Sequence, residues 1–124
     1  MKKTKIMVVD DEVDILTFVK TILEFEGYAV LTTTNGEEAL SMASTSVPDL
    51  IILDVKLPGI DGYEVCRRLK KESDTRAIPI LMFSASFHDV EKEALEAGAD
   101  DFIKKLFTID SFLSKVRQYL GICA

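Results

Sequence analysis

Five short apolar runs, each followed by an amphipathic segment, constrain this chain more than any other feature. The runs are KIMVVD (5–10), YAVLTTT (28–34), DLIILD (49–54), IPILMFSA (78–85) and DDFIKK (100–105). They are nearly continuous in apolar residues rather than alternating with polar ones. Strands of a parallel sheet covered on both faces have that pattern. The intervening segments have helical spacing. In VDILTFVKTILEFEG, residues Ile15, Phe18, Val19, Ile22 and Leu23 fall on one helical face, and Gly27 closes the segment. NGEEALSMAST predicts a short helix after an Asn-Gly turn, and DGYEVCRRLKKES a helix starting near Gly62. HDVEKEALEAG and IDSFLSKVRQYLG predict two more helices, closed by Gly98 and Gly121.

Five βα units in 124 residues imply an α/β fold in one domain covering 1–124. The expected architecture is a doubly wound, five-stranded parallel sheet of order 2-1-3-4-5, flavodoxin-like, with helices on both faces. In such sheets function gathers beyond the carboxyl ends of the strands, next to the point where strand order reverses. Here that point lies between the first and third strands, which end in Asp10–Asp11 and in Asp54. The fourth strand ends at Ser84 and the fifth at Lys104–Lys105. Three carboxylates, a hydroxyl and an ammonium are therefore expected on one rim.

Charge and cysteine content narrow the function classes. The formal net charge of −6 argues against non-specific nucleic-acid binding and against a polybasic membrane attachment. No apolar run approaches the ~20 residues of a membrane span, and the basic start MKKTK precedes too short an apolar stretch for a signal peptide. The chain reads as cytoplasmic. Cys66 and Cys123 lack metal-ligand spacing, and a single His does not complete a usual zinc site. Cys66 reads as an ordinary helix residue and His88 as a surface one.

Like charges ~4 Å apart repel by ~4 kcal/mol at surface-like dielectric, so clustered carboxylates favour a cation. Oxygen-only ligands select a hard ion, Mg²⁺, with Mn²⁺ as a substitute. An ammonium and a hydroxyl beside that ion suit a phosphoryl group, and a carboxylate can accept one as a nucleophile. The competing reading makes each acid a helix cap: Asp10, Asp11 or Glu12 before the first helix, Asp61 before the third. Asp61 is read as a cap. Asp54 is not, because seven residues separate it from the next helix start.

The motifs VVDDE (8–12), DLIILDVKLPGIDGYE (49–64), ILMFSAS (80–86) and AGADDFIKKLF (97–107) occur in this order over essentially the whole chain. Together they resemble the receiver domain of two-component response regulators. The resemblance implies that Asp54 accepts a phosphoryl group from a sensor histidine kinase or a histidine phosphotransfer protein. It implies that Asp10 and Asp11, with Asp54 and the Lys56 backbone carbonyl, hold Mg²⁺, Asp11 being the more direct ligand of the acidic pair. Ser84 matches the switch hydroxyl and Phe102 the switch aromatic. The family's Lys follows the aromatic after two residues, which selects Lys105 over Lys104. Offsets of two from Asp54 and Ser84 place Lys56 and Ser86 beside the path of hydrolytic water. The domain is then no enzyme beyond its own phosphorylation and dephosphorylation. Its covalent state would switch the surface of the fourth helix, fifth strand and last helix for a protein target or output domain. No direct nucleic-acid or membrane contact is expected, and the oligomeric expectation is a monomer or a weak, phosphorylation-dependent dimer.

One position departs from the family. Leu106 stands where a Pro usually follows the Lys through a cis bond, while Phe107 retains the next aromatic. A cis bond before a non-proline residue costs ~2.5–4 kcal/mol, so trans is expected here. Three other readings compete. A phosphohydrolase of the haloacid-dehalogenase kind needs a second Asp at position 56, which is Lys. A flavodoxin needs a hydroxyl-rich phosphate loop where DDEVD stands. An unphosphorylated receiver-like scaffold would not need the full set of acids, hydroxyl and ammonium.

Overall fold

The computed structural model describes residues 3–85 and 90–121, without the side chains of Val90 and Glu91. Ser86, His88 and Cys123 lie outside the described residues. The chain alternates strand and helix throughout: β1 (Lys5–Val9), α1 (Val13–Phe25), β2 (Ala29–Thr33), α2 (Gly36–Ser46), β3 (Leu50–Asp54), α3 (Gly62–Lys71), β4 (Ile80–Ser84), α4 (Val90–Glu96), β5 (Asp101–Lys104) and α5 (Ile109–Leu120). The strands form one parallel sheet of order β2-β1-β3-β4-β5, as the alternation predicts. Among the described residues, no helix is long and apolar enough to cross a membrane.

Strand residues alternate between two cores because successive side chains point to opposite faces. Ile6, Val8, Leu50, Ile52, Leu81, Phe83 and Ile103 pack with α1 and α5. Met7, Val9, Ile51, Leu53, Ile80 and Met82 pack with α2, α3, Ala94 of α4 and the alanines Ala97 and Ala99 that follow it. Both faces are dry, which explains the continuous apolar runs.

The buried stripe of α1 is Leu16, Val19, Ile22 and Leu23. Phe18, expected on that stripe, is 52% exposed. Its ring instead lies 6.2 Å from that of Phe107, over the flank of the sheet. The stripe is thus rotated towards Leu16, which the expected face omitted. Gly27, just past the end of α1, has φ +94°, a conformation that suits glycine.

Gly62 is required for a different reason. A Cβ there would overlap the Asp54 carbonyl oxygen and come within 2.9 Å of Asp54 C and Val55 Cα. The start of α3 therefore rests directly on the end of β3. Gly62 N donates to Val55 O at 2.8 Å, and Asp61 Oδ1 caps the helix by accepting from Glu64 N at 2.9 Å. Asp61 is a cap, as expected, and Cys66 is a buried core residue.

Candidate functional site

Strand parity carries three charged residues to one place. On β1, Ile6 and Val8 lead to Asp10; on β3, Leu50 and Ile52 lead to Asp54; on β5, Ile103 leads to Lys105. Each is the first residue of the α1/α5 face beyond the core. The sheet hydrogen bonds run on past the strand ends: Asp10 N donates to Thr33 O (3.1 Å) and Lys105 N to Ser84 O (2.8 Å).

Asp10 is fully buried and Asp54 is 3% exposed. Lys105 Nζ lies 3.1 Å from Asp10 Oδ2 and 3.3 Å from Asp54 Oδ2, and it donates to Glu12 Oε1 at 3.1 Å. It also sits 5.6 Å from the Phe83 ring centroid. The other carboxylate oxygens are held by backbone: Glu12 N donates to Asp10 Oδ1 (2.9 Å) and Lys56 N to Asp54 Oδ1 (3.2 Å). Asp10 Oδ2 and Asp54 Oδ2 accept no hydrogen bond among the described residues, although both are buried.

The electrostatics follow from this crowding. Burial, then repulsion from Asp10, pushes the Asp54 carboxyl up to about 7, against the opposing pull of Lys105 and the Lys56 N–H. Burial pulls the Lys105 ammonium down, but Glu12, Asp10 and Asp54 outweigh it and hold it above its ordinary value. A cavity of about 200 Å³ opens at this point, lined by Asp11, Glu12, Asp54, Lys56, Ser84, Ala85 and Lys105.

The donor set fits a hard divalent cation. Carboxylate oxygens of Asp10, Asp11 and Glu12 lie within 4.8 Å of one another, and the two orphaned oxygens of Asp10 and Asp54 lack a donor that a cation would replace. Asp11 is exposed at the mouth, and the Lys56 side chain is exposed beside it.

Ser84 and Phe102 belong to the other face. Ser84 follows Ile80 and Met82 on β4 and is 5% exposed at the cavity wall. Phe102 pairs with Met82 across the β4–β5 ladder and packs, half-buried, against the α2/α3-side core. The structure therefore brings Asp10, Asp11, Asp54, Lys56, Ser84 and Lys105 to one cavity and leaves Phe102 outside it. Phe102 lines a second cavity of about 480 Å³ with Leu106, Lys115 and neighbours, and Lys115 Nζ sits 5.6 Å from its ring centroid. Lys104 is exposed and is not among the residues lining the Asp54 cavity.

No described peptide bond is cis, so Lys105–Leu106 is trans. Leu106 is 86% exposed, while Phe107 turns inward and stacks on Phe112 with centroids 4.7 Å apart. Thr108 then caps α5, accepting from Ser111 N at 3.1 Å.

Two partners escaped the sequence reading. Glu12 was considered only as a cap, yet its side chain makes no cap hydrogen bond and bonds Lys105 instead. Lys115 bonds Asp101 Oδ1 (3.2 Å) and Phe102 O (3.1 Å), fourteen and thirteen residues away. Lys115 has no role in the sequence reading, because nothing local marks a contact across thirteen or fourteen positions.

The comparisons agree with this geometry. The family model for the response regulator receiver domain matches residues 6–117. The alkaline phosphatase synthesis transcriptional regulatory protein PhoP of Bacillus subtilis is 45% identical over 94% of this chain and 48% of its own length. A probable transcriptional regulator, ycf27, of Cyanophora paradoxa is 42% identical over 97% of this chain and 49% of its own. The chain thus spans about half the length of these curated relatives. A response regulator structure from Chloroflexus aurantiacus superposes with TM-score 0.91 at 34% identity, covering 97% of this chain and 99% of that one. The receiver domain of a Pseudomonas aeruginosa sensor histidine kinase superposes with TM-score 0.90 at 26% identity, covering 97% and 99%, and carries a magnesium ion coordinated in its active-site cleft. With a five-stranded 2-1-3-4-5 sheet, carboxylates and a lysine at its switch point, and a match over residues 6–117, this chain belongs to the response regulator receiver domain family of two-component signal transduction.

Proposed function

We propose that the chain is a single receiver unit in which Asp54 takes a phosphoryl group from a phosphohistidine on a sensor kinase or phosphotransfer protein. The observation that carries this reading is the state of Asp54: buried at a strand end, short of hydrogen bonds, with an ammonium 3.3 Å away at the wall of an open cavity. In the transfer an Asp54 oxygen bonds phosphorus as the phosphorus–nitrogen bond breaks, and the imidazole leaves with its electron pair and is neutralised by a proton. Asp10, Asp11, Asp54 and the Lys56 carbonyl would hold Mg²⁺, or Mn²⁺ in its place. When bound, the ion would neutralise charge on the phosphoryl oxygens.

The chain's own groups do the rest. Lys56 N–H orients Asp54 by holding Oδ1. Lys105 offers a positive charge to the phosphoryl, which carries ~−2 charge and three acceptor oxygens. Ser84, at the cavity wall, donates its hydroxyl to the same group. Its inward movement would free space for Phe102, coupling the site to the face of α4, β5 and α5. That face would then read out to a protein target or output domain in the cytoplasm. Lys56, and Ser86 by its offset, would flank the hydrolytic water and set the lifetime of the phosphoryl group.

The test is exposure to acetyl phosphate and Mg²⁺ followed by intact mass measurement. A labile adduct of ~80 Da on Asp54, lost in Asp54→Asn, is expected for an aspartyl phosphate. A protein that stays unmodified would refute the reading. Asp11→Ala should abolish most Mg²⁺ binding with the fold intact, and unchanged titration would remove Asp11 from the ligand set.

A further inference from the structure

The Lys105 ammonium has three protons to donate and three carboxylates around it. Energetics favour spending those protons on oxygens that water cannot reach, because an unsatisfied buried acceptor is costly. The structure does the reverse. The well-directed hydrogen bond goes to Glu12 Oε1, on a side chain that is 58% exposed. The buried Asp10 Oδ2 and Asp54 Oδ2, at 3.1 and 3.3 Å, have only the charge beside them. No cap hydrogen bond competes for the Glu12 side chain. It occupies the N-cap position of α1 with extended backbone (φ −88°, ψ 105°), but its side chain makes no cap bond. Its own N–H is fixed on Asp10 Oδ1, which anchors the residue at the cavity mouth.

We propose that Glu12 is a positioning residue that draws Lys105 towards the mouth in the resting protein, so that an incoming phosphoryl must win the ammonium from it. This rests on Asp54 being the acceptor. Because Glu12 is the one exposed member of the three carboxylates round Lys105, it is the partner released at least cost: water replaces the lost bond. Transfer to Asp54 then turns Lys105 inward, and Glu12 is left free at the start of α1. Occupancy of the buried site is thereby reported at an exposed residue.

The probe is beryllofluoride with Mg²⁺, an analogue of the phosphoryl group, titrated into the intact chain. Glu12→Ala should tighten its binding about three- to fivefold, the range of an exposed ion pair. In a Lys105→Met background the same substitution should change nothing. Equal tightening in both backgrounds would mean that Glu12 acts only through its field, and no tightening with Lys105 present would mean that it holds nothing back; either result overturns the proposal. A measurement independent of affinity is the scalar coupling between Lys105 ¹⁵Nζ and the Glu12 carboxylate carbon. It should be present in the free protein and vanish on adding beryllofluoride; its absence at the start, or its persistence, overturns the proposal. Failure of the unmutated chain to bind beryllofluoride would instead overturn the Asp54 reading and this one with it.

Discussion

Gly62→Ala tests the contact that fixes the height of Asp54 in the site. The obstacles to a methyl group there are all backbone: the Asp54 carbonyl oxygen, Asp54 C at 2.9 Å and Val55 Cα at 2.9 Å. None can rotate away, so the start of α3 must lift by about an ångström to restore ordinary van der Waals contact. Lifting it weakens the 2.8 Å Gly62 N to Val55 O hydrogen bond and unseats Val65, Cys66 and Leu69. Overpacking costs about 1–3 kcal/mol and the hydrogen bond about 1 kcal/mol. Alanine's better helix propensity returns at most about 1 kcal/mol. The expected net loss is about 1–3 kcal/mol in urea unfolding at neutral pH. Gly59→Ala is the internal control, since φ there is +76° but nothing lies within 4 Å of its Cβ position. It should cost only the left-handed backbone penalty, about 1–2 kcal/mol. A Gly62→Ala protein as stable as the unmutated chain would refute the argument from close approach.

Leu16→Ala should cost about 2–4 kcal/mol and Phe18→Ala under about 1.5 kcal/mol by urea unfolding, because Leu16 is 8% exposed and Phe18 is 52% exposed; the opposite ranking would return Phe18 to the core. In metal-free buffer Asp54→Asn should stabilise the fold. The Asp54 carboxyl is raised in the folded chain to about 7, so folding favours its protonated form and stability drains away as pH rises from about 4 to 7. The gain should be near zero at pH 4 and about 2–4 kcal/mol above pH 7; a gain independent of pH would contradict it. Asp101 has the opposite sign. Burial works against its charge, but the Tyr119 hydroxyl (2.8 Å), the Phe102 N–H and Lys115 outweigh it and hold the carboxyl below its ordinary value. Its stabilisation is full above the ordinary carboxylate range and lost on acidification through the lowered value. Asp101→Asn should therefore destabilise by about 1–2 kcal/mol at pH 7 and by progressively less as acid protonates the carboxyl, and a pH-independent penalty would show packing rather than charge at work.

The sequence was most informative where a period repeats and least where a single side chain chooses its partner. Five apolar runs with helical segments between them leave little besides a doubly wound sheet, and parity along β1, β3 and β5 carries Asp10, Asp54 and Lys105 to one rim. Family spacing from Phe102 selects Lys105 over Lys104, and Lys105 is the one of the two that lines the Asp54 cavity, because alternate residues on a strand face opposite ways. The face of α1 was misjudged at Phe18, since a large apolar residue one turn from the true stripe fits an amphipathic pattern equally well. Ring contact with Phe107, 89 positions away, decided its place. Glu12 was legible as an acid but not as the partner of Lys105, because nothing local marks a pairing across 93 residues. The trans Lys105–Leu106 bond followed from peptide energetics alone, whereas the outward Leu106 and inward Phe107 depend on the aromatic group that receives Phe107.

The two dry cores on either side of the sheet make it a partition. Asp10, Asp54 and Lys105 finish one side; Ser84 and Phe102 finish the other. A close-packed layer of Val, Ile, Leu, Met and Phe separates the two sides, which meet at the rim, where Ser84 stands at the cavity edge. The helices of one compartment are then free to drift in sequence without rewriting the other, provided the doorway is kept. A lineage could retune what packs on the α1/α5 side and what packs on the α2/α3 side as separate traits, with the rim lined by Ser84 as their common border.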